Sequence, residues 1–71
     1  MNIGEAVEYL KEGGAVARQA WHGKGMRVYL HTFLRFEPCL VLVTPSGEHQ
    51  PGWVCSQADL LAEDWHGVPH T

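Results

Sequence analysis

The spacing of apolar residues changes once along this chain, at Gly13-Gly14, and that change limits the fold more than any single motif. Before the glycine pair, Ile3, Ala6, Val7 and Leu10 stand at i, i+3, i+4 and i+7, the apolar stripe of a helix. Asn2 precedes it as an N-cap, with Glu5 three residues on to complete a capping box, and the two glycines supply a left-handed stop. Glu5, Glu8, Lys11 and Glu12 take the wet side, and Tyr9 lies off the stripe. After the glycines the period falls to two. "AVARQAW" reads as a short strand, "HGKG" as a glycine turn, and "MRVYLHTF" as an alternating strand. "LRFEP" is a loop, and "CLVLVT" is a central strand buried on both faces, with Cys39 as a small buried hydrophobe. "PSGE" turns the chain into "HQPGWV", where Pro51-Gly52 predicts an edge strand or a bulge.

A second helix is announced by "SQADLLAEDW". Ser56 is its N-cap and Asp59 stands at N3, while Leu60 and Leu61 are expected to bury it and Ala62 to allow close approach. "WHGV" is a final short strand with Trp65 in the core, and "PHT" a frayed tail. The expected class is therefore α+β. An N-terminal helix, an antiparallel β-sheet, a short second helix near the C-terminus and a final short strand form one domain over 1–71, with the helices on one face.

A domain of 71 residues buries about 60% of its unfolded surface, so its own core is thin and a partner subunit is a natural remedy. The net charge of −3 argues against a basic stripe for duplex nucleic acid. No apolar run approaches the roughly 20 residues of a membrane span, and Met1 leads straight into an amphipathic segment, so no leader and a cytosolic setting with reduced Cys39 and Cys55 are expected. Five histidines invite a metal, but His66 and His70 are separated by Gly67 and Pro69, and the cysteines form no C-x-x-C pair; neither metal nor cofactor is expected. Ser56, His22 and Asp59 can be drawn as a catalytic triad, yet Ser56 and Asp59 are accounted for as a capping box, and no nucleophile-elbow, Walker or dinucleotide fingerprint occurs. No catalytic residue is assigned.

The aromatic residues are more informative. Trp21 abuts a glycine turn, and Trp53 follows Pro-Gly just ahead of a helix start. A purine stacks well on such rings, and Arg18 and Lys24 add positive charge within reach of Trp21. Read from spacing alone, the same rings equally complete a thin core or a subunit contact.

"AWHGKGM" (Ala20 to Met26) together with Trp53 and "SQADLLAEDW" (Ser56 to Trp65) resembles the phage-encoded Thoeris anti-defence sponge family, second type, and the N-terminal "MNIGEAVEYLKEGGAVAR" fits it too. The likeness covers nearly the whole chain and departs from the family pattern at His22 and in the short segment from His31 to Gly52. It implies a small α+β protein that is not an enzyme and assembles as a homotetramer in the cytoplasm of an infected bacterium. There it binds a cyclic nucleotide-type signal, such as a cyclic ADP-ribose isomer, at subunit interfaces and leaves it intact. Carried onto this sequence, the ligand contacts are Trp21, with Arg18, Lys24 and Met26 around it, and Trp53, with Ser56, Gln57 and Asp59. An acidic group repels a pyrophosphate, so Asp59 either faces ribose hydroxyls or an adenine amino group, or serves only as the cap. A module that inhibits a host protein by direct binding is the alternative.

Overall fold

In a computed structural model, which describes residues 1–35 and 37–69, the elements follow the order helix, strands, short helix, strand. They are α1 (Ile3–Lys11), β1 (Ala15–Arg18), a 3-10 turn (Gln19–Trp21), β2 (Arg27–His31), β3 (Cys39–Val43), β4 (His49–Pro51), α2 (Gln57–Leu61) and β5 (Trp65–Val68). The expected class is the observed one. All neighbours in the sheet are antiparallel, in the order β4-β3-β2-β1-β5.

Both ends of α1 are closed by local hydrogen bonds. The Asn2 side chain accepts from the Glu5 amide at 2.8 Å, and the Asn2 amide donates to Glu5 Oε1 at 2.9 Å. At the other end Gly13 N–H donates to Leu10 O and Gly14 N–H to Tyr9 O, with Gly13 at φ 96°, a complete Schellman stop. Register then assigns the faces, because residues opposite one another in a ladder point the same way. Gly67, Val16, Val28 and Leu42 lie in one row under α1; Val68, Ala15, Tyr29, Val41 and Pro51 lie in a row on the face without helices. Ala6, Leu10, Val16, Val28 and Trp65 form the buried cluster on the helix side.

Several expectations are corrected here. The strand read over "AVARQAW" ends at Arg18, because Gln19 N–H turns to Asp64 O and Ala20 N–H to Asp64 Oδ2, which winds Gln19–Trp21 into the 3-10 turn. The centre of the sheet is β2, not the strand of "CLVLVT". That strand is next to the edge, with Val41 and Val43 buried, Leu40 and Leu42 half-buried, and Cys39 half-buried rather than enclosed. Leu60 and Leu61 do not bury α2; they are 47% and 77% exposed. Its half-buried positions are Asp59 and, just after it, Ala62, so the short helix is rotated to turn a carboxylate toward the sheet. The loop residue Phe36 and the tail residues His70 and Thr71 lie outside the described residues.

Tyr9, off the stripe, has a definite place. A Cβ built on Gly67 would stand 2.8 Å from the Tyr9 ring, and one on Gly14 would stand 2.2 Å from it. The ring therefore rests on bare backbone of both segments at one end of the β1–β5 pair, where Gly14 leads into Ala15 and Gly67 faces Val16. Gly67→Ala is expected to cost about 1–3 kcal/mol in urea denaturation. The cost should shrink in a Tyr9→Ala background, and equal costs in both backgrounds would mean that the ring does not govern the position.

Candidate functional site: a tryptophan cluster and a cleft on the opposite face

The two halves of the sequence-derived site fall in different surroundings. Trp21 is carried by the 3-10 turn, which ends at His22 in the left-handed region (φ 59°) with its N–H on Gln19 O. Trp53 is carried by the exit from β4, where Gly52 (φ 80°) and Trp53 both donate to Leu40 O, at 2.9 and 3.1 Å, as at a bulge. Trp65 begins β5. The three rings meet edge to face. Trp21 lies 5.3 Å from Trp65 and 6.2 Å from Trp53, and Trp53 lies 6.4 Å from Trp65. Such pairs add about 0.5–1.5 kcal/mol each beyond their area. Trp65 is 2% exposed, whereas Trp21 and Trp53 are half-buried against the core and keep part of their rings at the surface.

Around this cluster the charged residues hold one another. Arg18 Nε donates to Asp64 Oδ1 at 2.8 Å, and its NH1 donates to Asp59 Oδ1 at 2.9 Å, with the three side chains 18%, 32% and 14% exposed. Asp59 also completes the capping box: Asp59 N–H donates to Ser56 Oγ at 3.1 Å, and Ser56 N–H to Asp59 Oδ2 at 3.4 Å. The backbone carbonyl of Asp59 accepts the Trp65 indole N–H at 3.0 Å. The cap at the start of α2, the ion pairs and the tryptophan cluster are thus one connected structure. Gln57 is exposed in the first turn of α2.

The Arg18 guanidinium, together with the Ala20 amide, holds the Asp64 carboxyl below its ordinary value of 3.8, against the opposing effect of its own desolvation. Hydrogen bonds to Asp64 and then Asp59 raise Arg18. For a carboxyl depressed in the folded state, the unfolded chain takes up the proton first. Its stabilisation is therefore complete above the unfolded value and drains away as pH falls from there through the folded value. Urea melts taken from about pH 7 down to about pH 3 should show a loss of stability below about pH 4. That loss should be shallower in Asp64→Asn; an unchanged acid slope would remove Asp64 from the account.

The other residues of the "AWHGKGM" block lead to the opposite face. Lys24 is exposed in the turn between Gly23 and Gly25. Met26 is half-buried and lines a cleft of about 280 Å³ with Ala17, Gly23, Gly25, Arg27 and His66, among others. Ala17 and His66 are ladder partners, which puts them side by side on the helix-free face. From the sequence His66 reads only as half of a metal pair with His70, which lies outside the described residues. Its place beside Ala17 depends on the β1–β5 register, which no local pattern reveals. Among the described residues, no three of His, Cys, Asp and Glu come together to hold a metal. No helix among them is long and apolar enough to cross a membrane.

Comparison with known proteins gives two findings. The model of a family described as the Tad2-like, Thoeris anti-defense 2-like domain matches residues 1–68. A protein of Bacillus phage SP01, "Thoeris anti-defense 2", is 35% identical over 81 aligned positions, which cover 92% of this chain and 91% of that protein. Because 81 positions exceed the 71 residues here, the alignment opens gaps in this shorter chain.

Proposed function

The chain belongs to the Thoeris anti-defense 2-like family, and from that premise we propose that it is a phage anti-defence protein which binds a cyclic nucleotide immune signal and holds it intact. Cyclic ADP-ribose isomers are the first class to expect, and cyclic oligonucleotides the second. Sequestration in the cytoplasm of the infected cell starves the effector, and no bond of the signal is broken.

One observation carries the binding reading. Two indole rings, Trp21 and Trp53, are braced by a buried third while keeping part of their surface open. Each is a stacking platform of the kind that grips a base. The polar groups beside them are already engaged. Arg18 is held by Asp59 and Asp64, and the Ser56 hydroxyl accepts the Asp59 amide rather than facing a base. Rings that bind beside charges already spent on structure favour a binder over a catalyst.

Copies of the chain complete the pocket in this reading, with a tetramer favoured. Val54, Leu34 and Leu61 are 86%, 86% and 77% exposed, apolar surface that a partner copy would cover. The same residues support the second reading, a module that docks directly on a host protein.

The test is depletion and recovery. Incubation with a cyclic ADP-ribose isomer should remove the free compound from solution, and heating the protein should return it unchanged. Recovery of a degraded product with turnover would contradict sequestration, and no depletion with any cyclic nucleotide would favour the direct-docking reading.

A further inference from the structure

Resting on the reading above, we propose that the phosphate portion of the ligand sits in the cleft on the helix-free face, held by the Gly23–Gly25 turn, Arg27 and His66, and not beside helix α2. Of these, Arg27 and His66 belong to neither half of the site that the sequence outlined.

The balance of charge differs between the two places, which meet at Arg18. Beside the tryptophans, one guanidinium faces two carboxylates, Asp59 and Asp64, so that surface repels a phosphate. None of the eight acidic residues lines the cleft; Arg27 and His66 stand there, Arg18 reaches its wall while its guanidinium is held by Asp59 and Asp64, and Lys24 lies in the bordering turn. Arg27 NH1 donates to Gly25 O at 3.3 Å, which ties the guanidinium to that turn. Bidentate capture of phosphate is the ordinary use of such a group.

The turn itself is open. His22, Gly23 and Gly25 have φ of 59°, 64° and 82°, and a Cβ added at either glycine would meet nothing within 4 Å. A ligand can therefore approach the main chain there, and amides in left-handed turns make concavities for anions.

His66 supplies the independent observation. Its Nδ1 is buried and has no hydrogen-bond partner, the one such side-chain atom among the described residues. Native structures pair nearly all buried polar atoms, so the unpaired Nδ1 of a residue that lines the cleft leaves a bond for a ligand group to complete once the ring turns toward it. The cleft of about 280 Å³ is at the small end of ligand sites, room for part of a dinucleotide-sized signal. Trp21 lies two residues before Gly23, so one loop carries both the indole and the edge of the cleft.

Inorganic pyrophosphate is the probe. Titrated into the isotope-labelled protein, it should shift the amide signals of Gly23, Gly25, Arg27 and His66 saturably and leave the three indole N–H signals in place. Arg27→Gln and His66→Gln, checked for folding by urea denaturation, should each weaken pyrophosphate by about tenfold or more. Shifts centred on the indoles or on α2, or no saturable shift, overturn the proposal. Cyclic ADP-ribose separates the two levels. If the wild-type protein binds it and Arg27→Gln binds it equally well, the cleft assignment falls and sequestration stands. If pyrophosphate saturates the cleft while no cyclic ADP-ribose isomer binds, the anion site stands and the sequestration reading for that class falls.

Discussion

Trp65→Ala is expected to leave the protein largely unfolded in water. The ring is 2% exposed and joins the buried cluster of Ala6, Leu10, Val16 and Val28. It braces Trp21 and Trp53 edge to face, and its indole N–H is bonded to Asp59 O. Removing a buried tryptophan costs about 3–5 kcal/mol. A core this size rarely supplies more than about 3–5 kcal/mol. Apart from Trp65, the buried side chains among the described residues are small, namely four valines, three alanines and Leu10, so little else offsets the loss. Circular dichroism should show no cooperative melt for Trp65→Ala. Trp65→Phe, which keeps a ring but loses the N–H···O bond, should melt cooperatively below the wild type. A Trp65→Ala protein that melts as the wild type does would mean that the cluster is not the centre of the core.

Trp53→Ala is expected to spare the fold and weaken the ligand. The ring is half-buried, and its loop is held by backbone bonds to Leu40 O that the substitution leaves in place. Losing one stacking platform costs about 1–3 kcal/mol, roughly tenfold to a hundredfold in affinity. Trp21→Ala should lose a similar amount of binding together with some stability, since that ring touches Trp65 at 5.3 Å. Calorimetric titration with a cyclic ADP-ribose isomer decides the point. Unchanged affinity in both variants removes the tryptophans from the site.

Local features of this fold could be read from the sequence, and long-range ones could not. Both capping boxes join residues three apart, so Asn2 with Glu5 and Ser56 with Asp59 were legible and are formed. The Gly13-Gly14 stop was legible for the same reason. The face that α2 turns inward was not legible. Leu60 and Leu61 looked like its anchors, but Arg18 draws Asp59 inward from 41 residues away and Asp64 from 46. Nothing in "SQADLLAEDW" records that partner. Arg18 itself looked like a cation offered to a ligand and is instead the clasp of two carboxylates. Trp65 was legible as a core residue, while the meeting of three indoles from three separate segments was not. The cleft was the least legible feature, because the pairing of His66 with Ala17 is set by strand register and not by any spacing within "WHGVPH".

The central claim is that copies of this chain jointly grip an intact nucleotide signal. Native mass spectrometry with a panel of cyclic nucleotides tests it most directly, since it weighs the assembly and the bound compound together. A complex of several copies carrying the full, unaltered mass of a cyclic ADP-ribose isomer or a related cyclic nucleotide is the expected result. A monomer that takes up none of the panel, or a complex carrying only a hydrolysed mass, would contradict it.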